Sequence, residues 1–294
     1  MRLDDFDPNS VDIEDQRGGG GGFSLPGGRG GSIGCGTLVI ALIASLVFGV
    51  DPRQLIGGIE DAQQQVPQSQ TAPAGGTSAS ESCSVDALSH ESCNALSSLN
   101  KTWQPIFAQS NVAFSRPKLV FYSQAGESGC GRAQSAMGPF YCPEDRGIYL
   151  DTDFYRQMDQ ELGATGQFAR DYVIAHEYGH HVQNLTGMSD QVHSLQQQNP
   201  SEANQLSVRL ELQADCYAGV WAAKNRDRLE PGDMESGLNA AHQIGDDALM
   251  RAAGRRPAEE AFTHGSSAQR VEWLRKGLES GNEDSCDTFA DLRR

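Results

Sequence analysis

The segment Val173 to Val182 (VIAHEYGHHV) constrains the fold of this chain more than any other stretch. Its His-Glu-x-x-His spacing sets His176 and His180 four residues apart. On an α-helix that is an offset of about 40° and roughly one turn of rise, so both imidazoles can reach one ion from the same face. Glu177 sits about 100° further round. It is poorly placed to be a third ligand but well placed to hold a water and act as general base, the arrangement expected of an open, catalytic zinc site. The competing structural reading is an amphipathic helix with solvated histidines. Phe168, Tyr172, Ile174, Ala175, Tyr178 and Val182 argue against it, because they put apolar residues on several faces and imply a helix buried on most sides. A buried imidazole needs a partner.

A third ligand is then required. An elongated zincin pattern would place Gly at 183 and His at 186, where this chain has Gln183 and Thr186, and that class is excluded. Thirty-one residues beyond His180 stands Glu211, in Arg209 to Gly219 (RLELQADCYAG), a stretch rich in helix formers. Glu211 and Asp215 share a helical face. One carboxylate can close the metal sphere while the other receives the remaining ring N–H of a ligand histidine. The expected metal set is His176, His180 and Glu211 around one Zn²⁺, supported by Asp215.

The downstream Glu-x-x-x-Asp helix is similar to that of the thermolysin-like zinc peptidases. More closely, Tyr172 to Gly187 (YVIAHEYGHHVQNLTG), Leu210 to Trp221 (LELQADCYAGVW) and Thr263 to Trp273 (THGSSAQRVEW) resemble the bacterial membrane-anchored family called "putative neutral zinc metallopeptidase". The region Cys130 to Tyr149, including SAMGPFYCP, and the apolar segment ending FGVDP at Pro52 resemble it too. The resemblance implies a gluzincin-like α+β domain, mostly helical with a small β-sheet. It also implies Glu211 as third ligand and Asp215 as the group orienting the first histidine, and says little about substrate; a peptide or unfolded protein is the partner expected of an endopeptidase.

Composition bounds the remainder. Gly18 to Gly31 is mostly glycine, and Gln63 to Ser82 is mostly Gln, Pro, Ser, Thr, Ala and Gly. Neither can bury a core, which leaves one domain over residues 83–294. Residues 1–32, acidic and then Gly-rich, are expected to be a disordered tail, and 51–82 a flexible linker. A formal charge of −16 with no basic stripe excludes a nucleic-acid surface. Gly30 to Val50 is twenty-one residues without a charge. Its apolar part is expected to form a single transmembrane helix over 33–50. Arg17 and Arg29 before it, against Arg53 after it, weakly favour a cytoplasmic N-terminus.

Cysteine usage agrees with that orientation. Outside the span lie Cys83, Cys93, Cys130, Cys142, Cys216 and Cys286. Fifteen pairings are possible. Sequence proximity suggests Cys83 with Cys93 and Cys130 with Cys142, leaving Cys216 for Cys286. Free core cysteines are the alternative; a disulfide-bearing domain would lie outside the cytoplasm.

Apolar spacing predicts a helix over 85–109 with Pro105 kinking or ending it, strands over 118–123 and 147–151, and a short helix over 153–162. Gly187 is expected to cap the zinc helix, with further helices over 190–198, 200–226, 231–250 and 266–278. By analogy with thermolysin-like folds, Gln134 to Phe140 could line a strand edge that receives substrate, though a plain hairpin fits as well. A peptidase also needs a donor for the tetrahedral oxyanion. His264, just before a helix that Ser266 or Ser267 could cap, is one candidate, and Tyr217 is its rival. Three functions fit: an anchored zinc endopeptidase, a catalytically silent zinc-binding or chaperone-like module, and a zinc hydrolase of a non-peptide amide.

Overall fold

The computed structural model describes residues 1–17 and 78–293. The expected transmembrane segment and most of the expected linker lie outside these residues. Among the described residues no helix is long and apolar enough to cross a membrane.

A helical core carries a small sheet on one flank. Strand β1 (Asp12–Asp15) is followed by α1 (Ala79–Cys83) and the long α2 (Ala87–Gln109). Next come β2 (Lys118–Phe121), the hairpin β3 (Ala125–Ser128) and β4 (Gly131–Gln134), then β5 (Phe140–Cys142) and β6 (Gly147–Leu150). The C-terminal half is α3 (Asp153–Glu161), α4 (Gln167–Leu185), α5 (Met188–Gln198) and α6 (Ala203–Lys224), then α7 (Asp233–Gln243), α8 (Asp246–Ala252) and α9 (Ser267–Ser280).

The main sheet runs β1-β2-β6-β5. Strands β1, β2 and β6 are parallel, and β5 is antiparallel to β6. The central strands KLVF and GIYL are apolar because they are covered on both faces, as parallel strands generally are. Strands β1 and β5 are the two edges of this sheet, and β5 packs beside α4. The edge beside the zinc helix is therefore Phe140–Cys142. Of Gln134 to Phe140, read as either that edge or a plain hairpin, Gln134 ends the hairpin strand β4, Ser135–Met137 form a 3₁₀ turn and Phe140 begins the edge strand.

Helix α4 is buried on nearly every side, packed by α2, α6 and α7, and α6 is covered in turn by α9. Helices α6 and α9 touch through their backbones. A Cβ built on Gly277 would lie 2.0 Å from the Cys216 carbonyl oxygen, so only glycine permits the contact. The Cys216–Cys286 disulfide secures the same region, and the Cys83–Cys93 and Cys130–Cys142 bonds close as sequence proximity suggested.

Helix α2 covers most of the expected stretch and is not ended by Pro105; Ile106 and Phe107 are buried beyond it. Two expectations need correction. The stretch 231–250 is two helices, broken at Ile244-Gly245 where the chain passes against Ser267.

The larger correction concerns the N-terminus. Residues 1–17 are an ordered part of the domain, with Met1 and Val11 buried in the core. Polar residues misled the expectation of a tail. Here an edge strand needs few apolar side chains of its own, because its backbone supplies the pairing.

Candidate metal centre

Helices α4 and α6 meet where Gly179 faces Ala214. A Cβ on Gly179 would sit 2.8 Å from the Ala214 Cα, closer than packed atoms allow. Gly179 lies between the turns carrying His176 and His180, and Ala214 between Glu211 and Asp215. Close approach at this one point therefore brings both pairs together.

The outcome is a compact cluster. His176 Nε2 lies 3.1 Å from Glu211 Oε2, and His180 Nε2 lies 3.4 Å from Glu211 Oε1. All three ligand atoms fall within 4.8 Å of one another. Tetrahedral zinc with bonds of about 2.0–2.1 Å holds its ligand atoms roughly 3.3 Å apart. The donor set therefore fits one zinc ion. Among the described residues no fourth His, Cys, Asp or Glu joins the group, so one coordination position is left for water or substrate.

Each imidazole is fixed from behind. His176 Nδ1 donates to Asp215 Oδ1 at 2.8 Å, and His180 Nδ1 donates to Gln183 Oε1 at 2.9 Å. Both Nε2 lone pairs are thereby turned to the common centre. Gln183 is held by the Leu210 carbonyl and Gln213. Asp215 is fully buried; it accepts from the Tyr172 hydroxyl at 2.6 Å and from Arg270 Nε and Nη2, both at 2.9 Å. Tyr172, Gln183 and Arg270 support the site more than their sequence signal showed. Arg270 forms its buried ion pair with the carboxylate that orients His176.

The electrostatics follow. Burial opposes charge on Asp215, yet Arg270 and His176 outweigh it and hold the carboxyl at about 2. Burial likewise opposes protonation of His176, but Asp215 and Glu211 overcome it and raise the ring to about 10. Burial also opposes ionisation of Glu211, and the neighbouring histidines still hold it well below the usual range. Glu211 and Asp215 thus stay ionised against the imidazoles, a donor set suited to a cation. Burial raises Glu177 despite the two imidazoles beside it.

His264 is half-buried in the loop that leads into α9. Its ring Nδ1 is 3.2 Å from Asp246 Oδ1, while Asp246 Oδ2 accepts the backbone N–H groups of Thr263, His264 and Gly265. Asp246, which carries no motif in the sequence, therefore fixes the whole His264 loop. Ser266 caps α9 with Gln269.

Tyr217 does not belong here. It is about 200° around α6 from Asp215 and packs edge-on against Trp103 at 5.3 Å. His181 also points away. Its Nδ1 accepts from the Tyr141 hydroxyl and its Nε2 donates to the Ser115 carbonyl, tying α4 to the β5 edge.

Comparison with known proteins identifies the family. The family model described as "Putative neutral zinc metallopeptidase" matches residues 4–289. The chain belongs to this family. Relatives span it almost end to end. It is 42% identical over 290 residues to the uncharacterized protein YpfJ of Escherichia coli strain K12, covering 95% of this chain and 96% of that one. It is 37% identical over 262 residues to the uncharacterized proteins Mb2605 of Mycobacterium bovis and Rv2575 of Mycobacterium tuberculosis, covering 84% of this chain and 85% of each. No solved structure matches.

Proposed function

We propose that this chain is a zinc endopeptidase acting on peptides or unfolded protein outside the cytoplasm. The observation that carries the reading is the convergence of His176, His180 and Glu211 on one point with a position left free and Glu177 one residue along the same helix. A metal held only for structure has no use for a free position or an adjacent buried carboxylate.

Zinc, when bound by these three residues, supplies a Lewis acid that polarises the scissile carbonyl and makes water more acidic. Glu177 takes the proton from the attacking water and returns it to the leaving amine. Its raised pKa suits both halves of that cycle. His264 donates to the oxyanion from the loop fixed by Asp246, so Asp246 is a positioning residue. The β5 edge, Phe140–Cys142, gives an extended substrate backbone unpaired groups beside α4. The three disulfides favour an oxidising compartment, and the apolar run within 33–50 brings the protein to a membrane.

The test is hydrolysis of an unfolded protein by the purified chain. The expected result is activity that chelator removes and zinc restores, with Glu177→Gln folded, zinc-loaded and inactive. Full turnover by that variant would overturn the assignment.

A further inference from the structure

The N-terminal residues are built into the domain along their whole length. The Arg2 N–H donates to the Arg228 carbonyl at 2.9 Å, the Phe6 N–H to Asn94 Oδ1 at 2.9 Å, and Asn100 Nδ2 to the Ser10 carbonyl at 2.9 Å. Strand β1 then pairs in parallel with β2, Asp12 opposite Lys118 through Asp15 opposite Phe121. Beyond it the Arg17 guanidinium lies 4.4 Å over the Phe121 ring and donates to the Ser82 carbonyl at 2.8 Å. This is strand addition completing a sheet, not a tail resting on a surface. Without β1 the outer edge of β2 would lose its backbone partners.

We infer that residues 1–17 and residues 78–293 lie on the same side of any membrane the protein meets. A bilayer's hydrocarbon is about 30 Å thick, whereas neighbouring strands pair at about 4.8 Å. No membrane can stand between β1 and β2.

The consequence falls on the segment that joins them. Both its ends face one compartment, so it crosses a bilayer an even number of times or not at all. Two helical crossings need about forty apolar residues. The sequence offers one run of twenty-one uncharged residues, Gly30 to Val50. A single crossing by that run, with the N-terminus in the cytoplasm and the domain outside, does not fit the pairing of β1 with β2. If the domain is outside the cytoplasm, as its disulfides argue, the acidic N-terminus is there with it. This inference rests on β1 and is independent of the proposed catalysis.

Impermeant maleimide labelling of the full chain tests it. In a Cys35→Ser background, Asp5→Cys and Asp227→Cys each place one thiol at an exposed side chain, 87% and 79% accessible. Asp7→Cys and Glu235→Cys form a second exposed pair in case either of the first fails to fold, and trypsin resistance reports folding in every variant. In spheroplasts, both members of a pair should label at the same stage. Labelling of both before permeabilisation places N-terminus and domain outside together. Labelling of both only afterwards supports the shared side and overturns the extracytoplasmic location. One member labelling before and the other only after permeabilisation overturns the inference. Hydrolytic activity, measured separately, reports on the peptidase reading alone.

Discussion

Glu177 is buried beside two imidazoles and a carboxylate, and burial raises its pKa. A base in that position acts on the attacking water, so its loss should be felt in the chemical step and little elsewhere. Glu177→Gln is expected to lower kcat by about 10²–10⁴-fold with zinc stoichiometry and melting temperature unchanged, read from single-substrate kinetics and metal analysis. Asp215→Asn removes the fixed acceptor behind His176 and leaves Arg270 facing a neutral amide. Zinc affinity should fall about 10–100-fold, measured by competition with a chelating dye. His264→Ala should reduce kcat by about 10²-fold with KM nearly constant; a purely structural role would instead appear as lost stability. Of these residues His176, Glu177 and His180 were legible from spacing alone, since a helix fixes their relation locally. Asp246 was invisible because it acts on His264 from eighteen residues away across a turn.

Elements α4 and α6 carry the site only because they approach closely at Gly179. Gly179→Ala introduces a methyl 2.8 Å from the Ala214 Cα, a backbone atom, so the helices themselves must part. The expected cost is about 1–3 kcal/mol, and because the parting separates His176 from Glu211, zinc affinity should fall with it. Calorimetry with and without metal tests the pair of effects. An alanine variant as stable and as tightly loaded as the parent would refute the role given to this glycine. The Cys216–Cys286 bond closes a loop with a sequence separation of 70, and chain entropy puts its contribution at about 4 kcal/mol. The double Ser variant should show a correspondingly lower denaturation midpoint with the same zinc stoichiometry. Tyr217 shows the limit of motif reading at this scale. Helical periodicity alone puts it on the far face of α6 from Asp215, and the tertiary structure fills that face with Trp103.

For the whole molecule, stability should depend on pH through the ligand pocket. In the metal-free protein the His176 pKa is raised from 6.5 to about 10. Its stabilisation is therefore complete below about pH 6.5 and is lost as pH rises through 10. Asp215 is lowered from 3.8 to about 2, so its part is complete above about pH 3.8 and lost as pH falls through 2. The two shifts describe largely one interaction seen from either partner, so they are not summed. The melting temperature of chelator-treated protein should hold between about pH 4 and 6.5 and decline toward pH 10. Apparent zinc affinity should rise over that same upper window, because the metal must displace the histidine protons. A flat profile would contradict the buried pairing of His176 with Asp215. Deletion of residues 2–17 should yield insoluble protein, since β2 loses its outer strand and Met1 and Val11 leave the core.

The metal-binding helix, the face shared by Glu211 and Asp215, the two short-range cysteine pairs and most helices were set by local patterns in the chain. A 3.6-residue period, short separations and helix formers each act over a few residues and leave a trace in order of amino acids. What the tertiary structure alone decided was contact between distant segments with no such period. It closed α4 on α6 at a glycine, set Asp246 behind His264, made Phe140–Cys142 the edge beside α4, and joined an acidic N-terminus to β2. Those contacts depend on which backbones can approach and which polar groups must be paired once buried, and neither is expressed in any one stretch of sequence.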